Sequence, residues 1–184
     1  MSHSSFVSRT DYTVAQKIIH WLMAFLIMVD LFVAQKFGGA MADWDRFESR
    51  SDHASDGTIL AILLAARLYL RWRYDAPALP VDMPAWQKRL AYAAHGALYG
   101  LIGFLIVSGI MAASAANSLI EPFGLFALND GVEGDFIGLR QLHEWVTWLL
   151  MALIAAHILA ALYHWLWRRD TITQRMLRFW RSEE

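Results

Sequence analysis

Apolar residues along the chain fall into four long runs separated by charged, polar or proline-rich segments. The first run, Val14 to Val33, is long enough to cross the roughly 30 Å of bilayer hydrocarbon as a helix, with Asp30 near its far end. The second, about Ala54 to Trp72, is more polar: Asp56 stands at its start, and Arg67 and Arg71 toward its end must snorkel or pair with an anion. Pro77, Pro80 and Pro84 then break the helix. The third run, about Leu90 to Ala113, carries His95 together with Gly96, Gly100 and Gly103, a helical spacing that lets a neighbouring helix or a flat ring approach. Ser114 to Arg140 reads as a polar loop whose apolar patch, Leu119 to Leu128, dips into the interface, and the fourth run spans about Leu142 to Trp167. After it, Thr171 to Arg181 is basic with Met176, Leu177, Phe179 and Trp180, and predicts a short helix on the membrane surface. The pattern predicts an all-α membrane protein, a single domain over 1–184 built as a four-transmembrane-helix bundle.

Composition narrows the chemistry. The chain is 57% hydrophobic with nine tryptophans and a formal charge of -1, too apolar for an ordinary soluble domain of this size. It has no cysteine, which excludes disulfides, iron–sulfur clusters, thiolate-ligated haem and covalently attached c-type haem. A redox metal must therefore sit on histidine or methionine. The first run carries His20 and is long, so it reads as a retained helix rather than a cleaved signal. An even number of spans places both termini on one side, and 12 of the 16 Lys and Arg residues fall there, leaving Lys36, Arg46, Arg50 and Arg140 on the other. Basic residues stay preferentially in the cytoplasm, so both termini are expected to be cytoplasmic. Those basic clusters are topology signals, and no nucleic-acid binding is inferred from them.

Histidines then carry the argument. His143 and His157 on the fourth run are 14 residues apart, which puts them on nearly one face and roughly 21 Å apart along the axis. Hydrocarbon offers an imidazole no hydration, so each needs a partner, and haem iron on the bundle side is a strong one. By depth, His53 pairs with His143 at the periplasmic end. At the cytoplasmic end His157 pairs with His20, or in competition with His95. Arg67, 14 residues after His53, shares its face at the depth of His157, where it is placed to neutralise a haem propionate. His164, seven residues past His157, sits beside Trp165 near the interface, where an imidazole can bond a quinone carbonyl, although a solvated histidine is ordinary there.

These residues resemble the bacterial cytochrome b561 family across nearly the whole chain: Ile19-His20-Trp21, His53 with Gly57 one turn later, Ala66-Arg67-Leu68 and Arg71 before the prolines, His95 in a glycine-containing helix, His143-Glu144, His157, and His164-Trp165. The resemblance implies a four-helix bundle in the bacterial inner membrane with two stacked haems b, His20 and His157 ligating one and His53 and His143 the other. His95 matches a family position without a clear role, and Arg67 and His95 are expected to line the cofactor. It also implies electron exchange with ubiquinone, for which His164 and Trp165 are the candidate site, and makes superoxide oxidation at the periplasmic face the leading activity. Bis-histidine ligation leaves no open iron position, so catalysis would be outer-sphere electron transfer from a periplasmic donor, small molecule or protein. The competing function is a haem-b anchor subunit that passes electrons between a periplasmic dehydrogenase and the quinone pool. The loops on that side carry a net charge near −4, which steers a protein better than an anion such as superoxide. A homodimer is compatible with either function, and a haem-free bundle such as a transporter fragment is the third class.

Overall fold

A computed structural model describes residues 10–34, 43–116, 119–130 and 137–179. Arg9, Lys36, Trp180 and Arg181, which entered the topology and surface-helix expectations, lie outside the described residues, as does the side chain of Arg46. The described residues contain no strand. In chain order they form α1 (Val14–Ala34), α2 (Asp43–Arg73), α3 (Ala85–Ser114), a 3-10 turn (Pro122–Gly124), α4 (Ile137–Leu162) continuing as a π-helical stretch (Tyr163–Arg168), and α5 (Gln174–Leu177).

Three segments among them are long and apolar enough to cross a membrane: Val14–Phe32, Ala85–Ser114 and Gly138–Arg168. The helix α2 is 31 residues long yet more polar, because its first third carries Asp43, Asp45, Arg46, Glu48, Arg50 and Asp52. It begins well before the expected boundary at Ala54, since no proline or glycine lies between Asp43 and Asp56 to stop it. Neighbours along the chain pack side by side, α1 on α2, α2 on α3 and α3 on α4, while the backbones of α1 and α4 meet sparsely at most. The protein core is correspondingly thin, with Met23, Ile27, Leu60, Leu64 and Leu150 as its buried apolar helix residues. Phe32, Ile62, Val107, Leu159 and Trp167 are all exposed, which suits faces solvated by lipid tails rather than by protein.

Polar residues tie one end of the bundle together. Thr13 and Gln16 form a capping box at the start of α1: the Gln16 amide donates to Thr13 Oγ1 at 3.2 Å, and the Thr13 amide donates to Gln16 Oε1 at 3.0 Å. Gln16 Nε2 also donates to the Tyr74 carbonyl at 3.3 Å, satisfying an acceptor just past the end of α2. The ammonium of Lys17, 2% exposed, is held by Asp11 at 2.9 Å and by the Arg178 carbonyl. Trp21 Nε1 donates to the Met176 carbonyl, Arg175 to the Ala78 carbonyl, and Arg168 pairs with Asp82. Residues 10–21, the α2–α3 connection and the C-terminal segment therefore meet at what is called here the terminal end. Tyr12 is half-buried there, and burial pushes its hydroxyl pKa above the ordinary value against the lowering influence of Arg71 and Arg67.

The surface helix expected over 171–181 is reduced to the single turn α5. Arg169 takes a left-handed φ of 51° that ends the preceding helix, Asp170 Oδ1 accepts from the Ile172 amide, and Arg178 is already extended. Thr173 Oγ1 donates to the Ala161 carbonyl, so the segment folds back on α4 and α1 instead of running outward. At the opposite, far end the apolar patch docks on α2: the Glu121 and Phe123 amides donate to Ser51 Oγ and Ser55 Oγ. Ile120 and Pro122 are buried, and Leu125 and Phe126 face outward.

Candidate metal centres

All four long helices contribute to a cluster at the far end. His53 of α2 and His143 of α4 face each other with ring centroids 6.2 Å apart and planes at 88°. Two metal–imidazole bonds of about 2 Å, plus roughly 1.1 Å from each nitrogen to its ring centre, give a centroid separation of about 6 Å for a metal held between two histidines. The pair therefore fits axial ligation of one iron. Its tautomers fit as well. The Ser108 hydroxyl donates its only proton to the Leu105 carbonyl at 3.2 Å, so at 2.8 Å its oxygen accepts from His143 Nδ1–H and leaves Nε2 free to ligate. His53 Nδ1 donates to Asp30 Oδ1 of α1 at 2.6 Å, which again leaves Nε2 free to ligate. A Cβ at Gly109 would stand 3.3 Å from His143 Cε1, so α3 reaches this close to the imidazole only because that position has no side chain.

Toward the terminal end three histidines converge. His20 of α1 and His157 of α4 have ring centroids 6.4 Å apart at 74°, and His95 of α3 lies 5.3 Å from His157 at 86°. The first distance suits a metal held between the rings; the second is short for it. His95 Nδ1 donates to the Ala91 carbonyl of its own helix at 2.6 Å. Arg67 is fixed at the same level, its Nε donating to Tyr99 Oη at 3.0 Å and its Nη1 to the Gln16 carbonyl at 3.4 Å. Among the described residues no carboxylate forms a salt bridge with Arg67, so its charge is available to another anion.

Among the described residues no group of three or more acidic or imidazole side chains has metal-binding geometry, and each centre presents a pair of imidazoles. Two imidazoles would suit a cofactor whose macrocycle supplies the metal's other donors, as a porphyrin does. A Cβ built at Gly57, Gly96 or Gly100 meets nothing within 4 Å, whereas Gly103 packs on Leu64.

His164 lies on the π-helical stretch, where a wider turn rotates the chain less per residue and carries it further off the His157 face than α-helical spacing predicts. Its Nδ1 is 2.5 Å from Asp170 Oδ2, with both side chains largely buried. Trp165 is 47% exposed, and the ring packed edge-on against His164 is that of Tyr163. Asp30, Ser108, Gly109 and Asp170 are the site residues to which sequence reasoning gave no role. Only the apolar setting of Asp30, an acid near the end of a membrane helix, marked any of them beforehand.

Apolar helices that bring imidazole pairs together at two levels suit a membrane electron-transfer protein of the haem-binding class. A sequence model described as prokaryotic cytochrome b561 matches residues 11–179, and the chain belongs to that family. It is similar to cytochrome b561 homolog 2 of Escherichia coli, 29% identical over 176 residues covering 90% of each chain. Cytochrome b561 homolog 1 of the same organism is 26% identical over 172 residues, 90% of this chain and 96% of the relative. A Yersinia pestis protein named probable superoxide oxidase CybB is 25% identical over 175 residues, 90% and 95% respectively. Membership implies haem b as the cofactor and electron transport as the role of a multi-pass bacterial membrane protein.

Proposed function

We propose that the chain binds two haems b, one between His53 and His143 and one between His20 and His157, and passes electrons from a periplasmic one-electron donor to ubiquinone near the cytoplasmic face of the inner membrane. The observation that carries this reading is the pair of imidazole separations, 6.2 Å and 6.4 Å, set 14 residues apart along α4. The shorter His95–His157 separation of 5.3 Å favours His20 over His95 as ligand and leaves His95 beside the cofactor. The more polar α2 completes the four spans in this reading, supported by His53 facing His143 of α4 and by Arg67 reaching Gln16 of α1 and Tyr99 of α3. The concentration of basic residues toward the terminal end supports a cytoplasmic orientation for it.

Haem b held by these imidazole pairs would supply one-electron chemistry. His53 and His143 hold the far-end ligand nitrogens in fixed tautomers through Asp30 and Ser108. Arg67, anchored by Tyr99, presents its remaining donors to a propionate. At the terminal end His164, oriented by Asp170, is the donor for a quinone carbonyl and the group that passes it a proton, with Trp165 shaping the apolar approach. Superoxide is the leading donor because a relative bears the name probable superoxide oxidase.

The competing function, an anchor for a periplasmic dehydrogenase, draws support from the acidic far end, where Glu48, Asp52 and Glu121 line a shallow pocket and would dock a protein better than an anion. Co-purification of a stoichiometric periplasmic partner selects that function. The primary function is tested by reoxidation: His164→Ala should keep both haems and their reduction from the periplasmic side while slowing reoxidation by ubiquinone about tenfold or more. A wild-type reoxidation rate in that variant removes His164 from the quinone site.

A further inference from the structure

The two imidazole pairs stand in opposite electrostatic settings. At the far end, Asp30 Oδ1 accepts from His53 Nδ1 at 2.6 Å, and its side chain is only 14% exposed. Asp56, on the next turn of α2, lies close enough for its charge to act on the same pair. A carboxylate hydrogen-bonded to the distal nitrogen of a ligating imidazole makes that imidazole a stronger electron donor and stabilises the oxidised metal. His143 opposite has only the neutral hydroxyl of Ser108 in that role, so the far-end asymmetry comes from Asp30. At the terminal end the fixed charge beside His20 and His157 is the guanidinium of Arg67, which no described carboxylate neutralises. A cation there favours the reduced state.

We infer that Asp30 is a positioning residue that, through His53, holds the far-end haem at the lower potential of the two, so that with Arg67 at the other end the protein itself directs electrons from the far end toward the terminal end. The inference rests on the proposed ligation of one haem by His53 and His143, and it assigns a direction of flow that ligation alone leaves open. A carboxylate that served only to fix the His53 ring could be replaced by an amide of equal size; one that also supplies charge could not.

The experiment is a spectroelectrochemical titration of the full-length protein with both haems bound, in lipid nanodiscs. The haem that survives in His53→Ala identifies the terminal-end component of the wild-type titration. Asp30→Asn keeps the size and removes the charge. At the ambient potential where the wild-type far-end haem is half reduced, the ratio of reduced to oxidised far-end haem should rise about tenfold or more, which for a one-electron couple is about 59 mV. The terminal-end ratio should change less than twofold, and the electron paramagnetic resonance signal of the oxidised far-end haem should move with the loss of the charged partner. Unchanged potentials in Asp30→Asn with both haems bound overturn the inference, as does a shift confined to the terminal-end haem. If Asp30→Asn fails to retain the far-end haem, Asp30→Glu becomes the deciding variant. Retention there at a near wild-type potential supports the inference, and loss from both variants overturns it. Failure of the ligation proposal reads differently, as two haems retained in His53→Ala.

Discussion

Replacing Ser108 by alanine isolates the contribution of a single hydroxyl to cofactor binding. Ser108 is 2% exposed, and its oxygen is the acceptor for His143 Nδ1–H at 2.8 Å. Alanine fits the same space and removes the acceptor, leaving a buried N–H without a partner at a cost of about 1–3 kcal/mol. At about 1.4 kcal/mol per decade that is roughly a 5- to 150-fold loss of affinity, overlapping the roughly 10- to 100-fold range for removing a hydrogen-bond partner of a metal ligand. Ser108 Oγ also donates to Leu105 of its own helix, a carbonyl that remains paired within α3, so the helix itself should be little affected. Competition of the Ser108→Ala protein against a soluble haem scavenger should show the far-end haem dissociating about 10–100 times more readily, with the terminal-end haem unaffected. Wild-type retention at the far end, or selective loss at the terminal end, would refute the tautomer assignment for His143.

Two further substitutions probe the same geometry from other sides. Gly109→Leu places a branched side chain where even a Cβ stands 3.3 Å from His143 Cε1; it should expel the far-end haem while circular dichroism shows the helices intact. Arg67→Leu removes the cation held near Gln16 and Tyr99, which should lower the potential of the terminal-end haem and leave the far-end potential in place. A redox titration in which the far-end haem moves instead would place Arg67 at the wrong level.

What the sequence revealed and what it withheld follow from the range of the interactions involved. The long helices are legible because hydrophobicity over about 20 residues is a local property, and the facing of His143 and His157 follows from helical spacing alone. The convergence of His53 with His143 and of His20 with His157 is also foreseeable, because depth in a membrane is set by position within a span. Register between helices is a different matter. Asp30 meets His53 across 23 residues, and Ser108 meets His143 across 35; both depend on the rotation of one helix against another, which no local pattern encodes. The early start of α2 was hidden by its charge, which reads as loop although nothing in Asp43 to Asp56 breaks a helix. The C-terminal segment reads as an amphipathic surface helix, yet the left-handed turn at Arg169 and the hydrogen bonds of Trp21, Lys17 and Thr173 redirect it onto the bundle. His164 falls off the expected stripe for a related reason, a switch to π-helical turns after Leu162 that composition does not announce.

Haem stoichiometry in four single variants tests the central claim most directly. Purified wild-type protein, assayed as the pyridine haemochrome, should hold two haems b per chain. His53→Ala and His143→Ala should each lose one and show the same residual spectrum and potential. His20→Ala and His157→Ala should each lose the other, again matching one another. Two haems retained in any of the four, residual spectra that differ within a pair, or loss of the terminal-end haem in His95→Ala with its retention in His20→Ala would contradict the assignment of two stacked bis-histidine centres.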